Sequence, residues 1–268
     1  CNSPPKHSAF HDPRSLVLFI QNLRELSGGK PVGFKLCMGR PAEITAIIGA
    51  MIEQDIFPDF ITIDGSEGGT GAAPPEFSNH VGWPLVDSLT FINNVLIGAG
   101  VRDRVRLIAS GGVLSGFSMV RTMALGADVM NSARAMLFSL GCIQALKCNT
   151  NKCPTGITTQ DPELVSGLDV DTKAVRVFTY HKNTCHNFYE MIGAIGLDDP
   201  RKLRPDHVMR RMEGGTYSRS YADIFPPLEP GSLLIKGNAK HSSNIQAVWD
   251  MGQHLLRGEP ARSIAYKS

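Results

Sequence analysis

From residue 31 to residue 131 the chain alternates apolar runs of strand length with runs of helical period, and few architectures accept that order. The runs Pro31–Cys37, Phe60–Asp64, Val105–Ser110 and Asp128–Asn131 have strand length. Between them, residues 41–54, 84–97 and 115–125 repeat apolar side chains every three or four positions, as Ile44, Ile47, Ile48, Met51 and Ile52 show in the first. A helix over 12–26 precedes the series: Asp12 can cap it, Pro13 suits its first turn, and Gly28-Gly29 stop it. Strands separated by helices pair in parallel, so the spacing predicts an α/β fold, either a doubly wound sheet or a β/α barrel.

Both architectures gather functional groups at the carboxyl ends of their strands. The first such end carries Lys35, a charge inside an apolar strand. It either reaches the mouth of the sheet, where it can stabilise an electron-rich flavin edge, or lies on an edge strand in water. The second opens into Asp64-Gly65-Ser66-Glu67-Gly68-Gly69-Thr70-Gly71-Ala72-Ala73-Pro74, whose glycines let backbone amides approach a flat or anionic ligand; alone, the loop reads equally well as a flexible connection. Ser110-Gly111-Gly112 and the backbone near Ala133-Arg134 offer amides to a phosphate, and together they form a candidate FMN phosphate site.

Five residues separate Cys142 from Cys148, and four separate Cys148 from Cys153, which Pro154 follows. Three thiolates on one bent loop suit an iron–sulfur cluster that uses three protein ligands. Zinc would ordinarily recruit a fourth ligand, and the plain alternative is three reduced thiols with no metal. Six cysteines in 268 residues are too few for a disulfide scaffold, which points to a reducing cytoplasm. A net charge of +2 with scattered Lys and Arg argues against a nucleic-acid surface, and no apolar stretch reaches the ~20 residues of a membrane span. Thr172–Ile195 reads as a long helix closed by Gly196. The Pro-rich tail from Arg201 reads as a surface extension with a last helix near 244–256.

Residues 31–160 resemble the FMN-binding synthase domain of glutamate synthases through the strings FKLC, DGSEGGTGAAP, ASGG, LGAD and GCIQALKCNTNKCPTGITTQDPEL. The opening Ser3-Pro4-Pro5-Lys6-His7-Ser8-Ala9-Phe10 and the segment 172–196 are similar to the shorter glutamate synthase-like proteins, extending the likeness to about residue 232. The resemblance implies the carboxyl-terminal half of a TIM (β/α)8 barrel over 1–140, an iron–sulfur loop over 141–165, a final barrel helix over 166–200 and a C-terminal extension over 201–268. It also implies FMN and a three-iron (3Fe-4S) cluster as cofactors. The family's flavin lysine falls on Lys35, its flavin- and 2-oxoglutarate-facing glycines and threonine on Gly68, Gly69, Thr70 and Gly71, its phosphate loop on Gly111-Gly112, and its cluster ligands on Cys142, Cys148 and Cys153. His80 matches a family histidine; Arg40 and Glu67 are candidates for substrate contact.

The implied reaction is reduction of 2-iminoglutarate, formed from 2-oxoglutarate and ammonia, to glutamate. The implied partners are an electron donor, either ferredoxin or an NAD(P)H-linked subunit, and an amidotransferase that supplies ammonia. Alternatives are a synthase of a glutamate derivative, another FMN enzyme of 2-oxo or 2-hydroxy acids, or a non-catalytic cofactor-binding subunit. The chain departs from the large synthases at Ser110, Ala133-Arg134 and Asn149. Cys1 precedes Asn2-Ser3-Pro4-Pro5, which matches the synthase barrel, so it is not read as an amino-terminal nucleophile. Four strands are half of a closed barrel, which leads us to expect a further amino-terminal segment or pairing with a second copy.

Overall fold

The computed structural model describes residues 6–68, 76–235 and 243–259. Helix α1 (Pro13–Leu26) starts as its sequence requires: the Asp12 carboxylate accepts from the Ser15 amide at 2.9 Å, and Ser15 Oγ accepts from the Asp12 amide at 3.1 Å. The alternation then appears in order as β1 (Gly33–Leu36), α2 (Pro41–Gln54), β2 (Phe60–Asp64), α3 (Leu85–Gly98), β3 (Arg106–Ser110), α4 (Gly116–Ala124) and β4 (Val129–Asn131). The four strands form one sheet in the order β1-β2-β3-β4, with β3 and β4 parallel and Ser110 paired with Asn131. This is an α/β fold with a parallel sheet.

Beyond the sheet come α5 (Arg134–Leu140), α6 (Pro162–Val165), α7 (Val170–Ala194), a hairpin of β5 (Met209–Arg211) and β6 (Ser218–Ser220), α8 (Tyr221–Ile224) and α9 (Ser243–Leu256). The hairpin was not anticipated, because its short polar strands carry no alternation of apolar and polar residues. Gly196 follows α7 at φ +88°, in the left-handed position where glycine ends helices. The apolar stripe expected along α7 is buried only at Phe188 and Ile192; Val175 and Phe178 are exposed.

The chain clusters into two compact units: residues up to Thr62, Thr90–Leu107 and Pro227 onward form the first, and Ile63–Leu89 with Ile108–Pro226 form the second. In the first unit α9 is a core element and not the surface strap expected of the tail, since Val248, Trp249 and Leu256 are buried. Its contact with α2 is close. Thr45 Oγ1 donates to the Val248 carbonyl at 3.1 Å, and a Cβ on Gly252 would fall 2.0 Å from that hydroxyl and 2.8 Å from the Ala42 carbonyl. Arg14 ties three helices by gripping Glu53 of α2 and donating to the Leu256 carbonyl of α9 at 2.7 Å.

In the second unit α7 packs on α4 where glycine allows it: a Cβ on Gly116 would lie 2.8 Å from the Phe188 amide nitrogen. The Tyr180 hydroxyl donates to the Leu114 carbonyl at 2.5 Å, which ties α7 to the loop that follows β3.

Candidate functional site

The ends of β2, β3 and β4 in the second unit converge on a cavity of about 180 Å³ lined by Gly68, Ser110, Gly111, Gly112, Asn131, Ala133 and Arg134, with Glu67, Val113, Leu114, Phe138 and Gln144 around them. Gly111 and Gly112 have φ of +111° and +67°, so two successive residues adopt conformations that favour glycine. A Cβ at Gly111 would fall 3.1 Å from the Gly65 amide nitrogen and 3.4 Å from Gly68 Cα, so a side chain there would crowd the loop after β2. The Gly65 amide donates to the Ser110 carbonyl at 2.9 Å and fixes the two glycine loops to each other. The result is a cradle of backbone with one guanidinium, Arg134, on its wall, which is the chemistry a phosphate requires. Its volume is below the roughly 300 Å³ of small ligand sites, so it can take the phosphate end of a nucleotide but not the whole of one.

Glu67 lines this cavity with its carboxylate already engaged. Both oxygens accept from the Leu85 amide, at 3.0 and 3.1 Å, so Glu67 serves the first turn of α3. Asn131 and Gln144 also line the cavity and were not named as site residues in the sequence. Asn131 had a signal, since it ends β4 beside Ala133-Arg134; Gln144 had none, since its place depends on the path of the cysteine loop.

A second cavity, of about 130 Å³, is lined by Arg134, Leu137, Phe138, Cys142, Gln144, Leu146 and Cys148. It shares Arg134, Phe138 and Gln144 with the first, so the glycine cradle and the cysteine loop adjoin through these three residues. Cys153 is buried and does not line either cavity. Its sulfur lies 3.3 Å from the Thr155 hydroxyl, and that contact, with the backbone of Thr158 and Thr155, pulls the thiol down to about 6 against the cost of burial. Thr155 was overlooked in the sequence, although a hydroxyl two residues from a cysteine in a bent loop is a readable sign.

Among the described residues no three His, Cys, Asp or Glu side chains gather closely enough to hold one metal ion. A cluster spreads its thiolates over several irons and asks for a wider arrangement than a single ion does. The loop is also strained: Gln144, Leu146 and Asn151 have φ of +56°, +52° and +60° without being glycine.

The remaining sequence candidates fall elsewhere. Gly69, Thr70 and Gly71 lie outside the described residues. His80 is exposed in the turn before α3. Lys35 stands exposed on β1, at one end of the strand order, in the first unit. Arg40 is also in the first unit, 3.6 Å from Glu43 and on the wall of a wide cavity with Lys6, His7 and Phe10. No helix of the described residues is long and apolar enough to cross a membrane.

Comparison with known proteins agrees with the residues. A family model described as the conserved region in glutamate synthase matches residues 1–198. The glutamate synthase large subunit-like protein YerD of Bacillus subtilis is 40% identical over 215 residues, covering 80% of this chain and 41% of that protein. The archaeal glutamate synthase [NADPH] of Methanocaldococcus jannaschii is 34% identical over 203 residues, covering 75% and 39%. The ferredoxin-dependent glutamate synthase 1 of Arabidopsis thaliana is 31% identical over 198 residues, covering 74% and 12%. The chain thus spans about two-fifths of the first two relatives, and it belongs to the glutamate synthase family.

Proposed function

We propose that this chain is part of an FMN- and iron–sulfur-dependent oxidoreductase of glutamate synthase type that converts 2-oxoglutarate and ammonia, through 2-iminoglutarate, to glutamate. The observation that carries the reading is the adjoining pair of cavities: a glycine cradle suited to a phosphate and a cysteine loop, joined by Arg134, Phe138 and Gln144. When bound, FMN would supply hydride to the imine, and a 3Fe-4S cluster would supply electrons one at a time.

The chain's own residues take the following parts. The backbone of Gly68, Ser110, Gly111, Gly112 and Ala133 and the guanidinium of Arg134 hold the phosphate of FMN. Gly69, Thr70 and Gly71 continue the same loop toward the isoalloxazine and 2-oxoglutarate. Lys35 supplies a fixed positive charge that favours the reduced, electron-rich flavin. Arg40 and His80 are assigned to the substrate carboxylates, and Glu67 to a polar contact while it holds the loop against α3. Cys142, Cys148 and Cys153 hold the cluster. The low-lying Cys153 thiol supports that part, because a ligand sulfur must be deprotonated. So does the strained loop, because left-handed backbone at residues other than glycine persists where the surroundings enforce it.

The sheet is read as the carboxyl-terminal half of a (β/α)8 barrel, supported by the parallel strand order and by the gathering of loops at the strand ends. The names of the relatives point to NADPH or ferredoxin as the origin of the electrons; a cytoplasmic location rests on the low cysteine count alone.

Titration of the complete protein with FMN, followed by quenching of flavin fluorescence, tests the site. Arg134→Ala should weaken binding about tenfold, the loss of one charge-assisted hydrogen bond of about 1.4 kcal/mol. Absence of FMN binding by the complete protein would overturn the reading. Glutamate formed from ammonia, and not N-alkylglutamate from an alkylamine, would fix the amino donor.

A further inference from the structure

The β5–β6 hairpin carries an electrostatic arrangement that stability alone does not favour. Its antiparallel register sets Arg210 directly opposite Arg219, with Met209 opposite Ser220 and Arg211 opposite Ser218. Directly opposed residues of a two-stranded ribbon project from the same face, so Arg210 and Arg219 are cross-strand neighbours, and like charges so placed repel. Both arginines are exposed. Arg219 donates to the Asp223 carbonyl at 2.8 Å, which leaves its charge unneutralised, and Arg210 forms no ion pair among the described residues. Arg201, Lys202 and Arg204 contrast with them, each held by a carboxylate, on Asp199, Asp198 and Asp206, whereas Arg211 on the other face of β5 donates to the Gly215 carbonyl at 3.0 Å. The Met212 amide donates to the Tyr217 carbonyl at 3.1 Å, which extends the ladder and brings Tyr217, 58% exposed, to the same face as the arginine pair.

We propose that this face of the hairpin is a docking surface for an acidic segment of another polypeptide chain, whose carboxylates lie between Arg210 and Arg219 while Tyr217 packs against its backbone. Charge complementarity selects the occupant. Two adjacent guanidiniums repel until an anion joins them, and arginine is the side chain best shaped to bind carboxylate in a fork. Arginine and tyrosine are also the residues that concentrate binding energy at protein interfaces. A flat two-stranded ribbon cannot enclose a small ion, whereas a partner surface can bury it. A nucleic acid would call for a row of cations along its backbone, not one pair across a ribbon. The inference is independent of the reaction proposed above.

The test measures binding of fluorescein-labelled poly-L-glutamate of about 20 residues to the complete protein by anisotropy at low salt. Arg210→Gln together with Arg219→Gln should weaken binding at least tenfold. Arg201→Gln together with Lys202→Gln removes the same charge from carboxylate-held positions and should weaken it less than threefold. Equal losses in the two variants would reduce the effect to net charge and overturn the proposal, as would tighter binding of a single-stranded DNA of equal charge. Melting temperature supplies the second measurement: relieving the opposed charges should leave it unchanged or raise it. A marked fall would make the pair a structural element and overturn the proposal as well.

Discussion

The contact of α2 with α9 in the first unit and the glycine and cysteine loops of the second use the same device, the absence of a side chain, for opposite ends. At Gly252 the missing Cβ lets two helices close until a hydroxyl fills the space, and nothing can enter. At Gly111 and Gly112 it permits left-handed backbone and leaves a cavity that the glycines line. The first arrangement holds the fold together. The second keeps a polar surface available, and the neighbouring cysteine loop accepts strain at Gln144, Leu146 and Asn151. Close packing and open backbone are therefore distinct uses of one residue type, distinguished by what faces the absent Cβ.

Substitutions can break that contrast, and the largest effect should fall on the cysteine loop. Cys148→Ser should abolish the electron paramagnetic resonance signal of an oxidised three-iron cluster in the reconstituted protein, while the urea midpoint of the cofactor-free chain moves little. An undiminished signal would move the ligands elsewhere. Next in size, Gly252→Val should cost about 1–3 kcal/mol of stability through overpacking, because the atoms in the way include the backbone of α2, and should leave FMN affinity unchanged. If FMN affinity fell in step with stability, the division of labour would be wrong.

Gly111→Ala should have the reverse profile. Its φ of +111° and the 3.1 Å approach to Gly65 predict FMN binding weakened about tenfold, with about 1–2 kcal/mol of stability lost. The last effect concerns pH. The Cys153 thiol is lowered to about 6 in the folded chain, against about 8.5 when unfolded, so its contribution to stability is complete above about pH 8.5 and disappears as pH falls through 6. The stability difference between the cofactor-free chain and its Cys153→Ala variant should therefore grow from pH 6 to pH 8.5; a flat difference would mean that the Thr155 contact does not hold the thiolate.

Much of this organisation was legible in the sequence, for physical reasons that differ from place to place. Period and capping fixed α1 and α2 to within a residue, because Asp12-Pro13 and Pro41 mark helix starts through local chemistry. The strands followed from length and apolar content, and the glycines after β2 and β3 from their spacing. What stayed hidden was non-local. Nothing near Glu67 in the chain tells that its carboxylate serves the amide of Leu85, eighteen residues on. The packing of α9 into the first unit depends on Thr45, and the hairpin has strands too short and polar to show a period. The three cysteines were visible as a motif, but the separate burial of Cys153 depends on how the loop turns at Gln144 and Leu146.

The hydrogen bond from Thr45 to Val248 spans 203 positions of the chain, and it bears on the order in which the protein can be made. A chain emerging from the ribosome folds the parts whose partners have already been synthesised. The second unit is complete once Pro226 has emerged, whereas the first, although it contains earlier residues, waits for Leu256. During that interval α2 presents Ile44, Ala46, Ile48 and Met51, all buried in the finished protein, while the helix that covers part of it is still unmade. A chain released after residue 242 should thus have a second unit that resists protease and an α1–α2 region that does not.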